Sequence, residues 1–427
     1  MKRIPATAAA CVALALGLAA CSEPAATDDD EAPAEESAEP VALTFWHGYT
    51  EADGDVLEQI VADFNAAHDT ITITTEINPW AVIDDTLLPA LSAGTGPQIV
   101  AMPAERLPVY ADRGAFAELD DFYADFEGTD ALNQGALDMV TVDGVAYGVP
   151  TGFVPLAMFY NKALFEEAGI TEPPADWDEW VETARALTKD EDGDGTPEQY
   201  GVVLPDHATV ANGVWPSLFY GNGGQIVEDG QAVIDSPENA ETLEFWYDAI
   251  AEDKISPTGV SGIDGDGLFS SGRVGMYLGG PWMAFIAEEN GIDYGIAAVP
   301  AGPVEQAASA IGVSMAITEQ ADAAQRAAAE EFFAYFLEQE QAVTWALGSG
   351  WPPLRTDVDE ATLSENPTLV ALTEQAEFGR PLLPGVVNST DVLAAVDDLT
   401  QRAMAGEPIP ELLAQAQAAI QSALDSQ

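Results

Sequence analysis

The 427-residue chain carries 13 basic against 73 acidic side chains, a formal charge of −60 with a pI near 4.1. Nothing in such a chain neutralises a run of phosphates, so nucleic acid is excluded as a partner, and anionic metabolites are disfavoured except at a local arginine. The length allows two lobes, each with its own core. Both cysteines, Cys11 and Cys21, fall near the N-terminus, so the remainder has no disulfide framework and depends on packing.

Met1-Lys2-Arg3 opens a cationic start. The apolar run Ala6 to Ala20 follows and is too short to span a bilayer. With Leu18-Ala19-Ala20-Cys21 at its end, the segment reads as a bacterial export signal over 1–21, closing on a lipobox with Cys21 as acyl acceptor. Residues 22–40 are Ala, Pro, Ser and acid with a single Thr, Thr27, and have no aromatic side chain and no aliphatic one larger than Ala. They cannot bury enough surface to fold and form an extended, self-repelling tether. The expected location is the outer face of the cytoplasmic membrane, held by a lipid anchor.

Val41 to Trp46 alternates as a strand. Val56, Leu57, Ile60, Val61 and Phe64 take helical spacing. Ile71 to Ile77 alternates strictly, Ile83, Leu87, Leu88 and Leu91 form a second helix ended by Gly94, and Gln98 to Met102 is a third strand. Strand, helix, strand, helix, strand predicts right-handed crossovers and a largely parallel sheet. Val140 to Pro150 is a hairpin with an Asp143-Gly144 turn. Phe153 to Tyr160 reads as one apolar strand and Lys162 to Ala168 as a short helix. Asp176, with Glu179 three residues on, resembles an acidic capping box. Behind it Trp177, Trp180, Val181, Ala184 and Leu187 share one helical face. Val274 to Leu278 and Ile311 to Ile317 are later strands, Phe332, Phe333, Tyr335 and Phe336 sit in a helix, and an amphipathic helix runs from Pro410.

Nine tryptophans supply the clearest clue to function. Trp177, Trp180, Trp246 and Trp345 lie inside helical patterns and are expected in cores. Trp46, Trp80, Trp215, Trp282 and Trp351 lie at strand ends or turns, where open α/β sheets place their ligand crevice. A flat indole suits the CH face of a pyranose, and carboxylates, amides and backbone groups suit its rim. In Gly279-Gly280-Pro281-Trp282, glycines allow close approach after a strand and Pro281 starts a helix, which presents Trp282 at the sheet edge. A plain tight turn has the same pattern.

Asp190, Asp192, Asp194 and Glu198, with Gly195 and Thr196, match the first half of a calcium loop. Position 12, where a bidentate Glu is expected, is Gly201. A structural calcium ion and a solvated acidic turn both remain open. Signals for catalysis are weak: there is no nucleophile elbow and no phosphate loop, and His47, His68 and His207 have no metal-ligand spacing. His68 closes a helix, where the dipole favours a cation.

From Val41 onward the chain resembles the family 1 extracellular solute-binding proteins, carbohydrate receptors of ABC importers related to maltose-binding protein. Six short motifs in order carry the resemblance: Leu43-Thr44-Phe45-Trp46-His47; Ser92 to Val100 with Pro97-Gln98; Asp143 to Pro150; Phe159-Tyr160-Asn161-Lys162; Phe269 to Met276 followed by Gly279-Gly280-Pro281-Trp282; and Gly348 to Pro353. The resemblance implies a class II, two-lobed α/β fold with a mixed, largely parallel sheet in each lobe and a hinge between them. The N-terminal lobe would take 41–150 plus about 295–345, and the C-terminal lobe 151–294 plus about 346–427. It implies a monomer that binds a sugar and hands it to permease subunits, with no catalysis and no required cofactor. By position, Trp282 and Trp351 are similar to the family's stacking aromatics. His47, Tyr49, Trp80 and Glu105 fall in cleft-facing segments of the N-terminal lobe, and Trp215 and Asp264 in comparable segments of the other. The Pro97-Gln98 form also occurs in glycerol-3-phosphate receptors, for which Arg106, Arg355 and Arg380 would supply cations. A secreted carbohydrate-active hydrolase and a sensory receptor are the readings from other classes.

Overall fold

The computed structural model describes residues 40–206 and 213–426. The leader, Cys21, the tether and His207 lie outside the described residues. Among the described residues, fourteen strands form two principal sheets and two small hairpins. No helix among the described residues is long and apolar enough to cross a membrane.

β1 (Val41–His47), β2 (Ile71–Ile77) and β3 (Ile99–Pro103) run parallel, with β1 in the middle. Their connections are the helices Glu51–Ala67 and Trp80–Ala93, the second ended by left-handed Gly94 as expected. The hairpin of β4 (Thr141–Val142) and β5 (Val145–Ala146) turns on Asp143 and Gly144, both at positive φ, which matches its Asp-Gly sequence.

The expected single strand from Phe153 to Tyr160 is two strands in different sheets. β6 (Val149–Pro155) ends on a proline, which cannot donate to a ladder. The buried Leu156 then turns into the second core while its N–H donates to Ser309. β7 (Ala157–Asn161) belongs to the second sheet with β8 (Tyr200–Val203), β11 (Val274–Gly279) and β12 (Tyr294–Ala297), in the order β12-β7-β11-β8. The hairpin of β9 (Val227–Glu228) and β10 (Gln231–Ala232) lies apart. β7 runs antiparallel to both its neighbours, so parallel pairing in this sheet is confined to β8 and β11.

β13 (Ala308–Ile317) and β14 (Gly379–Pro381) complete the first sheet, in the order β14-β13-β3-β1-β2, with β6 on the other edge of β13. β13 pairs with β3 from Val313 to Ile317. Its first half, Ala308 to Ala310, runs on beyond the end of β3 and pairs with β14. β6 and β13 are therefore the strands that cross between the sheets. The expected lobe boundary at residue 150 falls inside β6.

Each sheet is covered on both faces. Phe45, Phe64, Phe332, Phe333 and Trp345 pack on one face of the first, and Ile83, Leu87, Val100 and Met102 on the other. Trp177, Trp180, Trp215 and Trp246, with the helices Ser389–Met404 and Ile409–Leu424, fill the larger core of the second. All five residues of the predicted Trp177–Leu187 face are buried. Asp176 caps that helix through the Glu179 N–H, while the Glu179 carboxylate reaches one residue further back, to the Ala175 N–H.

The buried indoles differ in one testable respect. Trp345 donates to the Thr151 carbonyl at 2.7 Å, whereas the N–H groups of Trp180 and Trp246 have no partner. Trp345→Phe leaves a buried carbonyl unpaired, and Trp246→Phe removes a donor that was already unpaired. In urea denaturation, Trp345→Phe should therefore cost about 1–2 kcal/mol more than Trp246→Phe. Equal costs would show that the Thr151 contact adds nothing.

Candidate functional site

Strand direction decides where a crevice can lie. β1 and β3 are parallel, so their C-terminal ends share one edge of the first sheet. That edge meets β13 half-way along its length, where Pro103 pairs with Val313. In the second sheet the last residue of β11, Gly279, pairs with Ala157, just past the end of β6. The C-terminal ends of strands in both sheets thus converge on the crossover, which is where open α/β sheets bind ligands.

Three partly exposed indoles occupy this region, each laid against a glycine. A Cβ on Gly48 would sit 2.3 Å from the Trp80 ring, one on Gly152 2.4 Å from Trp351, and one on Gly280 2.2 Å from Trp282. The missing side chain lets each indole rest against backbone while part of its surface stays exposed. Trp351 packs against cores of both sheets, and the Cβ position of its neighbour Gly350 lies 4.0 Å from Pro281, next to Trp282. Trp80 meets Tyr49 edge-on, and Tyr49 bonds Thr151, beside Gly152. A continuous chain of contacts therefore joins Trp80, Trp351 and Trp282 across the crossover.

Burial perturbs two carboxyl groups, one of them beside an indole. Glu105 follows β3, and burial pushes its carboxyl above the usual range; its own N–H and Arg106 oppose that shift, while Asp84 adds to it. Its main-chain carbonyl accepts from Ser389 of the second lobe at 2.6 Å. Arg106 is paired with Asp84 at 2.5 Å. Asp266 stands against Trp282: burial raises its carboxyl, and hydrogen bonds from Tyr277 and Trp282 oppose the rise. Its Oδ1 is buried with no partner.

Other sequence candidates have structural tasks. Asp264 accepts from the N–H and hydroxyl of Ser261, closing a capping box at the start of the Gly262–Ser270 helix. The Ser261-x-x-Asp264 spacing already carried that signal, and Asp266, two residues on, is the acid beside the indole. Trp215 is fully buried, its N–H donating to the Pro205 carbonyl at 2.7 Å. His47 is fully buried, 3.3 Å from Glu58. Tyr49 is 2% exposed. Trp46, half-buried, is tied to Glu76 at 2.7 Å. His68 closes its helix as expected, with its Nδ1 2.7 Å from the Phe64 carbonyl and its Nε2 3.3 Å from Glu331.

In the acidic loop the carboxylates of Asp190, Asp192 and Asp194 come within 4.8 Å of one another and are exposed. The backbone N–H groups of Gly193, Gly195, Asp194 and Thr196 already donate to them. Glu198 accepts from the Glu191 N–H instead. Gly201 has no room for a ligating side chain, since its Cβ would fall 2.0 Å from the Ala184 carbonyl. The donor set is half of a calcium loop.

Burial pushes the His47 imidazole below its ordinary value, against Glu58, which raises it. Between that lowered value and about 6.5 the folded protein binds fewer protons here than the unfolded chain. This ring's contribution is intact above about pH 6.5 and is lost as pH falls through the window. Wild type should lose more stability than His47→Gln between about pH 7.5 and 5; equal losses in urea denaturation would show the ring titrating as it does in solution.

A family model of bacterial extracellular solute-binding proteins matches residues 59–371. A binding protein of Brucella abortus is 27% identical over 358 residues, 81% of this chain and 84% of that protein. The galactooligosaccharide-binding protein of Bacillus subtilis is 23% identical over 94% of this chain and 92% of its own length. Among solved structures, the cyclic alpha-maltosyl-1,6-maltose binding protein from Arthrobacter globiformis matches with a TM-score of 0.79 and 26% identity, covering 91% of this chain and all of that one. The chain belongs to the bacterial extracellular solute-binding proteins.

Proposed function

We propose that the protein captures a sugar or oligosaccharide at the three glycine-seated indoles and delivers it to the permease of an ABC importer. The observation that carries this is the set Trp80, Trp351 and Trp282, each laid against a glycine, Trp80 and Trp282 just past the ends of β2 and β11 and Trp351 just past the Gln339–Ser349 helix. Apolar CH faces of pyranose rings stack on such surfaces, and a carboxyl group beside them accepts from hydroxyls. The relatives named for oligosaccharides support the same ligand class. Binding without turnover is the expected activity. A ligand that touches both lobes only when they close favours the closed state by its differential affinity. The lipobox at Cys21 adds an anchor at the outer face of the membrane.

The glycerol-3-phosphate alternative is disfavoured by the arginines it needs. Arg106 is held by Asp84, Arg355 by Asp357 and Arg380 by Glu305, at 2.5, 2.6 and 2.6 Å. An anion would have to displace a carboxylate from each. Calcium at Asp190, Asp192 and Asp194 would be a structural clip on an exposed loop.

A thermal-shift screen of the protein from Val41 onward tests these assignments together, with a sugar library, glycerol-3-phosphate and calcium as ligands. A ligand at a hundred times its Kd adds about 2.7 kcal/mol of stability. A sugar should give that shift, and Trp282→Ala should abolish it. A shift with the anion alone, or none with any sugar, would remove the carbohydrate assignment, and consumption of the sugar would restore the hydrolase. Calcium should raise the melting temperature of wild type but not of Asp192→Asn; identical melting with and without calcium would leave the loop as a solvated turn.

A further inference from the structure

Thr151 is the extra residue of a β-bulge. β13 pairs Val313 with Gly152 and Ser314 with Pro150, so Thr151 has no ladder partner. Aromatic side chains take up its hydrogen-bonding groups instead. Trp345 Nε1–H donates to its carbonyl at 2.7 Å, and its Oγ1 lies 2.5 Å from the Tyr49 hydroxyl. Tyr49 meets Trp80 edge-on, with ring centres 5.2 Å apart at 82°, and Trp345 at 5.3 Å and 75°. The next residue, Gly152, is the seat of Trp351. Two of the three indoles are thus held by consecutive residues of the strand that crosses between the sheets.

We infer that Tyr49 is a positioning residue: its hydroxyl, bonded to Thr151, sets the plane of Trp80 and ties that indole to the crossover strand. This rests on the proposal that Trp80 stacks on a ligand. Tyr49 and Thr151 are 2% and 0% exposed, so neither meets a ligand directly. Their bond is shielded from water, where it is stronger and more directional than at a surface. A ligand pressing on Trp80 loads the bulge through Tyr49, and a turn of the crossover strand re-aims Trp80. Binding and lobe movement are coupled through this one bond, and the coupling is reciprocal.

The test uses Tyr49→Phe, Thr151→Val and the double variant, none of which removes a ring. Kd is measured by calorimetry with the sugar found in the screen. Fluorine NMR of protein labelled with fluorotryptophan reads the indoles without ligand, the Trp80 and Trp282 resonances being assigned by Trp80→Phe and Trp282→Phe. Each single variant should raise Kd about fivefold or more, and the double variant should cost no more than the larger single loss, because both changes break the same bond. The Trp80 resonance should move while that of Trp282 stays. A lowered melting temperature with unchanged Kd and an unmoved Trp80 resonance would reduce the pair to core packing and overturn the inference, as would losses that multiply in the double variant. If no sugar binds, the proposed function fails, and the ligand-free Trp80 resonance still decides this inference: unmoved, it sinks it. If Tyr49→Phe does not fold, Thr151→Val carries the same readouts.

Discussion

The bulge at Thr151 is the constraint on which the site depends. A regular strand through Pro150, Thr151 and Gly152 would put Thr151 on the ladder and shift every later side chain of β6 to the opposite face. The bulge leaves the Thr151 carbonyl to Trp345, and the Thr151 side chain meets the Tyr49 hydroxyl. It also fixes which way Gly152 faces, and so where Trp351 rests. Pro155 then ends the strand and passes the chain to the second sheet. One short segment therefore joins the lobes and orients two aromatic faces between them.

The glycine seats explain how a large apolar side chain can be both rigid and available. An indole buried on both faces, as Trp180 is against Trp246 at 4.9 Å, stabilises a core but meets no ligand. An indole exposed on both faces would be mobile, and ordering it would cost conformational entropy. Resting the indole against backbone removes that cost before binding. The surface charge acts differently. The exposed ion pairs contribute little to stability each, and the acid excess mainly keeps the molecule soluble and repels like surfaces.

Local patterns were legible where local physics decides the outcome. The bounds of β2, the Lys162–Ala168 helix and the buried face of the Trp177–Leu187 helix follow from periodicity and capping alone. The four tryptophans at helical spacing are in cores, and four of the five expected at strand ends or turns remain partly exposed. Long-range contacts hid the rest. Trp215 sits near the start of a short helix that is buried along its whole length, so a turn-like position became an interior one. Tyr49 carries the polar tip expected of a ligand contact, yet its partner Thr151 lies 102 residues away. Asp264 and Asp266 differ by two positions in a glycine-rich run, and only the packing of Trp282 separates their tasks. The break at Leu156 left no mark on the apolar pattern, because both halves of the segment are buried, each in its own sheet.

The central claim is that Trp80, Trp282 and Trp351 present their exposed surfaces to one ligand. Fluorine NMR of the fluorotryptophan-labelled protein, titrated with the sugar that stabilises it, tests this directly. The account predicts that the resonances of these three indoles shift together, while those of Trp180, Trp215 and Trp246 do not. A saturating sugar that leaves the three unmoved, or that shifts the buried set instead, would contradict it.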